Sequence, residues 1–217
     1  MRNTRQCFPG GMSTKNFGGW QQKSGEHPER VPDDLYPTPP EATECLLKHV
    51  RFNGAIWEAA SGLGHISRVF LEAGHEVVST DLRAAEYGYG EVGDFLASTE
   101  TRAPNIVTNP PYKLMREFWK KAFTLPDVET VSFLVPVPAV SQVGVQKLFE
   151  EFGAPALILV PVPHLKVYMG KERGTQTSLF AHCWVHWNLK EEKRSSSEFR
   201  LVNWRKPKAK KDSDAVP

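Results

Sequence analysis

The chain has 217 residues, 40% of them hydrophobic and 24% charged, and a formal net charge of +2. These values are typical of a folded domain and do not indicate a wholly disordered chain or a membrane protein. No apolar run approaches the roughly twenty residues of a membrane span, and no secretory signal is visible. The scattered cysteines favour a reducing compartment over disulfides or a zinc cluster. We therefore expect a cytoplasmic protein without membrane contact.

Composition divides the chain into a central region and two ends. Residues 1–35 are rich in Gly, Pro, Ser and charged side chains and lack apolar periodicity, which predicts a mobile tail. The folded domain is predicted over residues 36–190. Residues 191–217 contain a basic cluster at 204–211 and are predicted to be a second, disordered tail. The cluster is either an arm that attracts phosphates or a solubilising terminus.

Segments with helical and strand patterns alternate through the central region. The patterns predict helices at 40–50, 66–73, 114–123 and 143–152, and strands at 55–57, 76–80, 105–108, 131–135, 156–160 and 179–187. This alternation predicts a mostly parallel sheet with helices on both faces. The last predicted strand alternates in hydrophobicity, as an antiparallel edge strand often does.

Two glycines and an acidic residue follow the first two predicted strands. Gly62 and Gly64 permit positive φ and close backbone approach to a ligand at the start of a helix. Asp81 ends the second strand, where a carboxylate can accept both hydroxyls of a ribose. Because ligands bind at the carboxyl ends of parallel strands, these residues indicate a nucleoside site. A tight turn and a helix-capping aspartate are the alternatives.

The dipeptide Asp94-Phe95 extends this interpretation. Asp94 can take the amino group of an adenine while Phe95 lies on its ring; the alternative is a capping acid beside a core aromatic residue. The third glycine of a dinucleotide fingerprint is missing, which favours S-adenosylmethionine over NAD as the ligand.

The strand at 105–108 opens into Asn109-Pro110-Pro111-Tyr112. Consecutive prolines fix two φ angles and remove two N–H donors, which suits a rigid loop. The Asn109 side-chain oxygen and the Pro110 carbonyl can accept the two hydrogens of a planar amino group, and Tyr112 can stack on the ring that carries it. The loop therefore indicates catalysis at an amino group, with a chance loop as the alternative.

In order and spacing these segments resemble the class I methyltransferases, specifically the small gamma-class adenine-N6 DNA methyltransferases of phage and prophage type. The resemblance covers roughly residues 36–187. It implies a Rossmann-like fold with a mostly parallel seven-stranded sheet, an antiparallel edge strand and helices on both faces. It also implies that residues 109–112 are catalytic and that S-adenosylmethionine is held by Tyr36, Thr38, Pro39, Glu58, Ala60, Gly62, Gly64, Asp81, Asp94 and Phe95.

The implied activity is methyl transfer to the exocyclic N6 amine of adenine in DNA. The same loop also serves enzymes that methylate protein glutamine or RNA, so these substrates remain alternatives. Ala59 and Leu63 depart from the family pattern, which leaves a degenerate, non-catalytic binding module as a third possibility.

Substrate contacts are predicted in a basic and aromatic loop at 164–177, through Lys166, Tyr168, Lys171 and Arg173. The alternative is a solvated loop. The segment 83–91 is a second candidate. His182 and His186 lack a third ligand nearby in sequence, so we expect no metal. We expect DNA as the partner, and a monomer or weak dimer.

Overall fold

The computed structural model describes residues 36–165, 167 and 180–205. Five helices and eight strands occur among these residues. The helices are α1 (Pro40–Leu47), α2 (His65–Glu72), α3 (Ala84–Tyr87), α4 (Met115–Thr124) and α5 (Val143–Phe152). The strands are β1 (Ile56–Glu58), β2 (Val77–Asp81), β3 (Glu91–Val92), β4 (Asn105–Thr108), β5 (Thr130–Pro136), β6 (Leu157–Val162), β7 (His182–Asn188) and β8 (Glu198–Asn203). None of the described helices is long and apolar enough to cross a membrane.

The strands form one sheet in the order β3-β2-β1-β4-β5-β7-β6-β8. The pairs from β3 to β5 are all parallel, as is the pair of β6 and β8. The strand β7 runs antiparallel between β5 and β6. The predicted mostly parallel sheet is confirmed.

Helices cover both faces of the sheet. Neighbouring residues of one strand, such as Ile106 and Val107 in β4, belong to different hydrophobic clusters, because successive side chains point to opposite faces. One cluster packs against α4 and α5, and the other against α1 and α2. This confirms the predicted three-layer arrangement.

The position of β7 differs from the prediction. It lies inside the sheet, and its residues from His182 to Trp187 are buried. Its polar positions suggested a solvated face, but both histidines are buried with partners. His186 Nδ1 lies 2.8 Å from the Ser132 hydroxyl oxygen, and His182 bonds to a tyrosine described below. The alternation of polar and apolar residues in β7 therefore comes from buried polar side chains with hydrogen-bond partners, and not from a solvated face.

The end of the folded region also differs from the prediction. Residues 198–203, assigned from sequence to a disordered tail, form β8 and give the sheet eight strands instead of seven. The backbone of β8 pairs along the whole of β6, and the Trp204 indole N–H donates to the Pro163 carbonyl at 2.6 Å. The boundary at residue 190 was therefore wrong. The predicted tail at 1–35 lies outside the described residues.

Candidate active site

A cavity of about 450 Å³ opens at the carboxyl ends of β1, β2 and β4. Parallel pairing of these three strands brings their ends to one edge of the sheet. Most of the residues predicted for the cofactor and the catalytic loop line it: Tyr36, Thr38, Glu58, Ala60, Gly62, Asp81, Asp94, Phe95, Asn109 and Pro111. The other predicted residues that the structure describes, Pro39, Gly64, Pro110 and Tyr112, are not among its lining residues.

Asp81 fixes the glycine loop to the end of β2. One carboxylate oxygen accepts the backbone N–H of Gly62 and the other accepts that of Arg83, each at 2.8 Å. The Asp81 side chain thus connects the loop after β1 to the turn after β2. Each oxygen keeps further acceptor capacity, so the carboxylate can also bind hydroxyls of a ligand in the cavity.

The two glycines of the loop have different roles. Gly62 has a φ of 49° and lies in the cavity wall, as expected. Gly64 has a φ of 74° and caps α2, but the ring of Tyr89 covers it. A Cβ atom at Gly64 would lie 2.3 Å from that ring. A glycine is therefore needed at position 64 because the Tyr89 ring packs on it. The sequence had suggested that the missing side chain makes room for a ligand.

Glu58 is a buried carboxyl at the end of β1. Its Oε2 accepts the backbone N–H of Ser67 at 2.7 Å and also the Ser67 hydroxyl, which in turn contacts the hydroxyl of Ser79. Burial, helped by the charge of Asp81, raises the pKa of Glu58 to about 8. Glu58 therefore carries a proton at neutral pH and links β1, α2 and β2 without adding a charge.

The dipeptide at 94–95 divides between cavity and core. Asp94 is exposed in the cavity wall, and its Oδ1 accepts the backbone N–H of Leu96 at 2.9 Å. Phe95 is only 2% exposed and packs against Trp57 and Phe118, with ring centroids 5.1 and 4.8 Å away. Most of the Phe95 ring belongs to the core, as the alternative interpretation expected. Leu96 adds an apolar contact to the cavity that the sequence analysis missed.

The amide of Asn109 has one satisfied end and one unsatisfied end. Its Nδ2 donates to the Tyr36 carbonyl at 3.0 Å and to Thr38 Oγ1 at 3.2 Å. A backbone carbonyl can only accept, so this contact fixes which way the amide points. Its Oδ1 is buried and has no hydrogen-bond partner. Among the described residues with such an orphaned side-chain atom, only Asn109 lines the cavity.

Tyr112 stands beside this amide in an aromatic pair. Its ring stacks on that of Tyr36, with centroids 4.8 Å apart and planes inclined by 18°. Its hydroxyl lies 2.6 Å from Nε2 of His182. Burial lowers the pKa of His182 to about 4, so this imidazole is neutral at neutral pH. Tyr36 thus covers one face of the ring that the sequence assigned to base stacking.

Two polar residues of the cavity wall, His65 and Lys113, were not predicted from sequence. The signal for Lys113 is its position directly after residues 109–112. The second candidate segment, 83–91, contributes Arg83 and Tyr87 to the wall and contains α3 and the first residue of β3.

The predicted substrate residues Lys166, Tyr168, Lys171 and Arg173 lie outside the described residues. No group of three His, Cys, Asp or Glu side chains that could hold a metal ion occurs in the ranges that the structure describes.

Several solved structures are similar to this protein in fold. A candidate RNA methyltransferase from Pyrococcus horikoshii has a TM-score of 0.50 and 16% identity, over 72% of this chain and 87% of its own. A candidate class I S-adenosylmethionine-dependent methyltransferase from Listeria monocytogenes has a TM-score of 0.50 and 12% identity, over 74% and 62%. The modification subunit of a candidate type I restriction enzyme from Vibrio vulnificus has a TM-score of 0.51 and 11% identity, over 77% and 47%.

These likenesses show that the chain has the Rossmann-like class I methyltransferase fold, as the sequence predicted. At identities of 11–16% they show the fold alone. The chain spans less than two thirds of the Listeria and Vibrio proteins. No family model matches the sequence, and no curated protein is significantly similar to it.

We predict that Gly64→Ala destabilises the protein more than Gly74→Ala. Both positions have positive φ, which costs an L-residue about 1–2 kcal/mol, but a Cβ at Gly74 meets nothing within 4 Å whereas one at Gly64 meets Tyr89. Urea unfolding measures the difference, and Tyr89→Ala should remove most of it in a double-mutant cycle. Equal destabilisation by the two substitutions would contradict the contact.

We predict that stability falls as pH rises from about 7 towards 8, by less than about 1.4 kcal/mol per pH unit. The folded pKa of Glu58, about 8, exceeds its ordinary value of 4.5, so the folded state holds the proton more tightly and loses that advantage as pH rises. His182 and His186 have pKa values lowered from 6.5 to about 4, so they act in the opposite direction, and their effect fades only as pH rises above the ordinary value of 6.5.

Urea unfolding of the wild-type protein and of Glu58→Gln across this pH range tests the assignment. The Gln variant cannot ionise at position 58 and should show a flatter pH dependence. A Gln variant with the wild-type slope would show that another group is responsible.

Proposed function

We propose that this protein is an S-adenosylmethionine-dependent methyltransferase that acts on the exocyclic N6 amine of adenine in DNA. The observation that carries the proposal is the buried, unpartnered Oδ1 of Asn109 in the cavity wall. A buried acceptor without a partner costs about 1–3 kcal/mol, so it calls for a donor that arrives with a ligand. An amino group supplies such a donor.

The cavity fits the proposed methyl donor. Its volume of about 450 Å³ lies within the range of small-molecule sites, roughly 300–1,000 Å³. Asp81 would hold the ribose hydroxyls, and the glycine loop permits close approach of the backbone at Gly62. The donor supplies an electrophilic methyl group on a sulfonium. Glu58, kept neutral by burial, adds no negative charge beside Asp81.

Asn109 would then activate the amine. The lone pair of an adenine amino group is delocalised into the ring, which makes the nitrogen a poor nucleophile. Acceptance of its two hydrogens by Asn109 Oδ1 and the Pro110 carbonyl favours a pyramidal nitrogen and stabilises the positive charge that develops there. The hydrogen bonds from Nδ2 to Tyr36 and Thr38 hold the amide in place, so little reorganisation is needed during the reaction.

The surroundings favour a nucleic acid over a protein as the substrate. The aromatic pair of Tyr36 and Tyr112 lies beside Asn109 and offers a surface on which a planar base can stack. Lys113 lines the cavity next to the catalytic loop and can meet a phosphate. In duplex DNA the base must leave the stack, which costs a few kcal/mol and is offset by such contacts.

Transfer of a labelled methyl group to DNA, RNA and protein in parallel tests the substrate. We expect label in DNA, on N6 of adenine. Label in protein glutamine or in RNA alone would replace the DNA assignment. Absence of transfer together with absence of S-adenosylmethionine binding in calorimetry would favour a degenerate binding module. Ala59 and Leu63 would then be the first residues to test as the cause of the lost binding.

We predict that Asn109→Ala lowers methyl transfer at least about a hundredfold, because it removes the acceptor from the amine. Affinity for S-adenosylmethionine should change only a few-fold, since Asp81 and the glycine loop remain. Rates come from label transfer under saturating donor, and affinities from calorimetry.

Thr38→Val is the matched control for the anchoring of the amide. It removes one of the two acceptors of Nδ2 but leaves Oδ1 and the bond to the Tyr36 carbonyl, so transfer should fall only a few-fold. If Thr38→Val lowered methyl transfer as much as Asn109→Ala, the loss of activity would come from the lost anchoring of residues 36–38 and not from the loss of the Asn109 Oδ1 acceptor.

A further inference from the structure

A row of basic side chains runs from the cavity along the solvent face of α4. Lys113 lines the cavity, and Arg116 and Lys120 follow it at spacings of three and four residues. Arg116 and Lys120, four residues apart, lie on one side of α4. Lys113 lies in the 3₁₀ turn that leads into the helix. The opposite side, formed by Met115, Phe118, Trp119 and Ala122, is buried against the sheet. We call Lys113, Arg116 and Lys120 the basic row.

Two members of the basic row carry charges that no ion pair with a residue described by the structure offsets. Several other surface arginines pair with glutamates, as in Arg83 with Glu86, Arg102 with Glu91, Arg194 with Glu191 and Arg200 with Glu198. Arg116 and Lys120 are exposed and form no ion pair with any residue in the described ranges. Four basic residues and one acidic residue occur in 113–121, so the local charge is strongly positive although that of the whole chain is only +2.

The guanidinium of Arg116 extends towards the start of α5. A Cβ atom at Gly144 would lie 2.4 Å from Arg116 Nη1, so the bare backbone of that glycine leaves the room that the guanidinium occupies. Lys121, in contrast, faces away from the row, because its amine donates to the Ser98 carbonyl at 2.9 Å. The row thus consists of Lys113 before the helix and of Arg116 and Lys120 on its open side.

We propose that the basic row is a phosphate-binding surface for the DNA strand whose base enters the cavity. The inference rests on the proposed function and names the part of the protein that holds its substrate. The row extends over roughly 10 Å, from Lys113 in the 3₁₀ turn to Lys120 in α4. Its cations can therefore meet successive phosphates of one strand, beginning at the mouth of the cavity. Phosphate contacts of this kind position the substrate without reading its sequence.

The salt dependence of DNA binding tests the surface. Each phosphate neutralised steepens the slope of log Kobs against log salt by about 0.9. Arg116→Gln with Lys120→Gln should therefore reduce the slope by about 2, so that the wild-type protein loses about tenfold more affinity than the variant between about 50 and 200 mM salt. In methyl transfer the variant should show a raised KM for DNA with unchanged kcat, because neither side chain lines the cavity.

Lys48→Gln with Arg51→Gln is the matched control. These two exposed cations lie at the end of α1, which packs on the other face of the sheet, so the slope should stay at its wild-type value. Equal slopes for the wild type and the α4 variant, in a protein that methylates DNA, would overturn the surface and leave the proposed function standing. A wild-type protein that neither binds nor methylates DNA would overturn both, and binding of RNA alone would overturn the choice of DNA.

Discussion

Parallel pairing of β1 with β2 and β4 is the constraint on which the candidate site depends. The last residue of β1, Glu58, lies opposite Ser79, two residues before the end of β2. The strand β4 runs in the same direction on the other side of β1. The chain therefore delivers Glu58, Asp81 and Asn109 to one edge of the sheet from three separate segments. Because the sheet is buried on both faces, a shift of register would expose its apolar residues and is strongly disfavoured.

Two polar side chains at this edge tie neighbouring segments together. Asp81 holds the loop after β1, and Asn109 holds residues 36–38 through its Nδ2. Both side chains thus build the cavity and face it at the same time. The hydrogen bonds of Nδ2 also fix the position of the Asn109 Oδ1, which is buried and has no hydrogen-bond partner.

The local parts of the fold could be predicted from sequence, and the distant pairings could not. The helix α5 ends at Gly153, as its apolar spacing and following glycine indicated. The antiparallel direction of β7 was also anticipated, but its burial depends on Ser132 and Tyr112, which lie far away in sequence. Asp81 was predicted to face the cavity from the end of its strand, and Asn109 from the double-proline loop that follows β4, and both line it. The role of Gly64 depends on Tyr89, which no local pattern reveals.

Continuity between the proposed catalytic loop, residues 109–112, and α4 links the two proposals. The loop passes through a 3₁₀ turn, Tyr112–Leu114, directly into α4, and its prolines leave little freedom in between. Tyr112 is held further by Tyr36 and His182. A strand bound to the basic row would therefore meet Asn109 in a fixed register, so binding energy from phosphates far from the amine would serve to position it. Because these contacts are the same before and during methyl transfer, they raise kcat/KM by lowering KM and leave kcat unchanged.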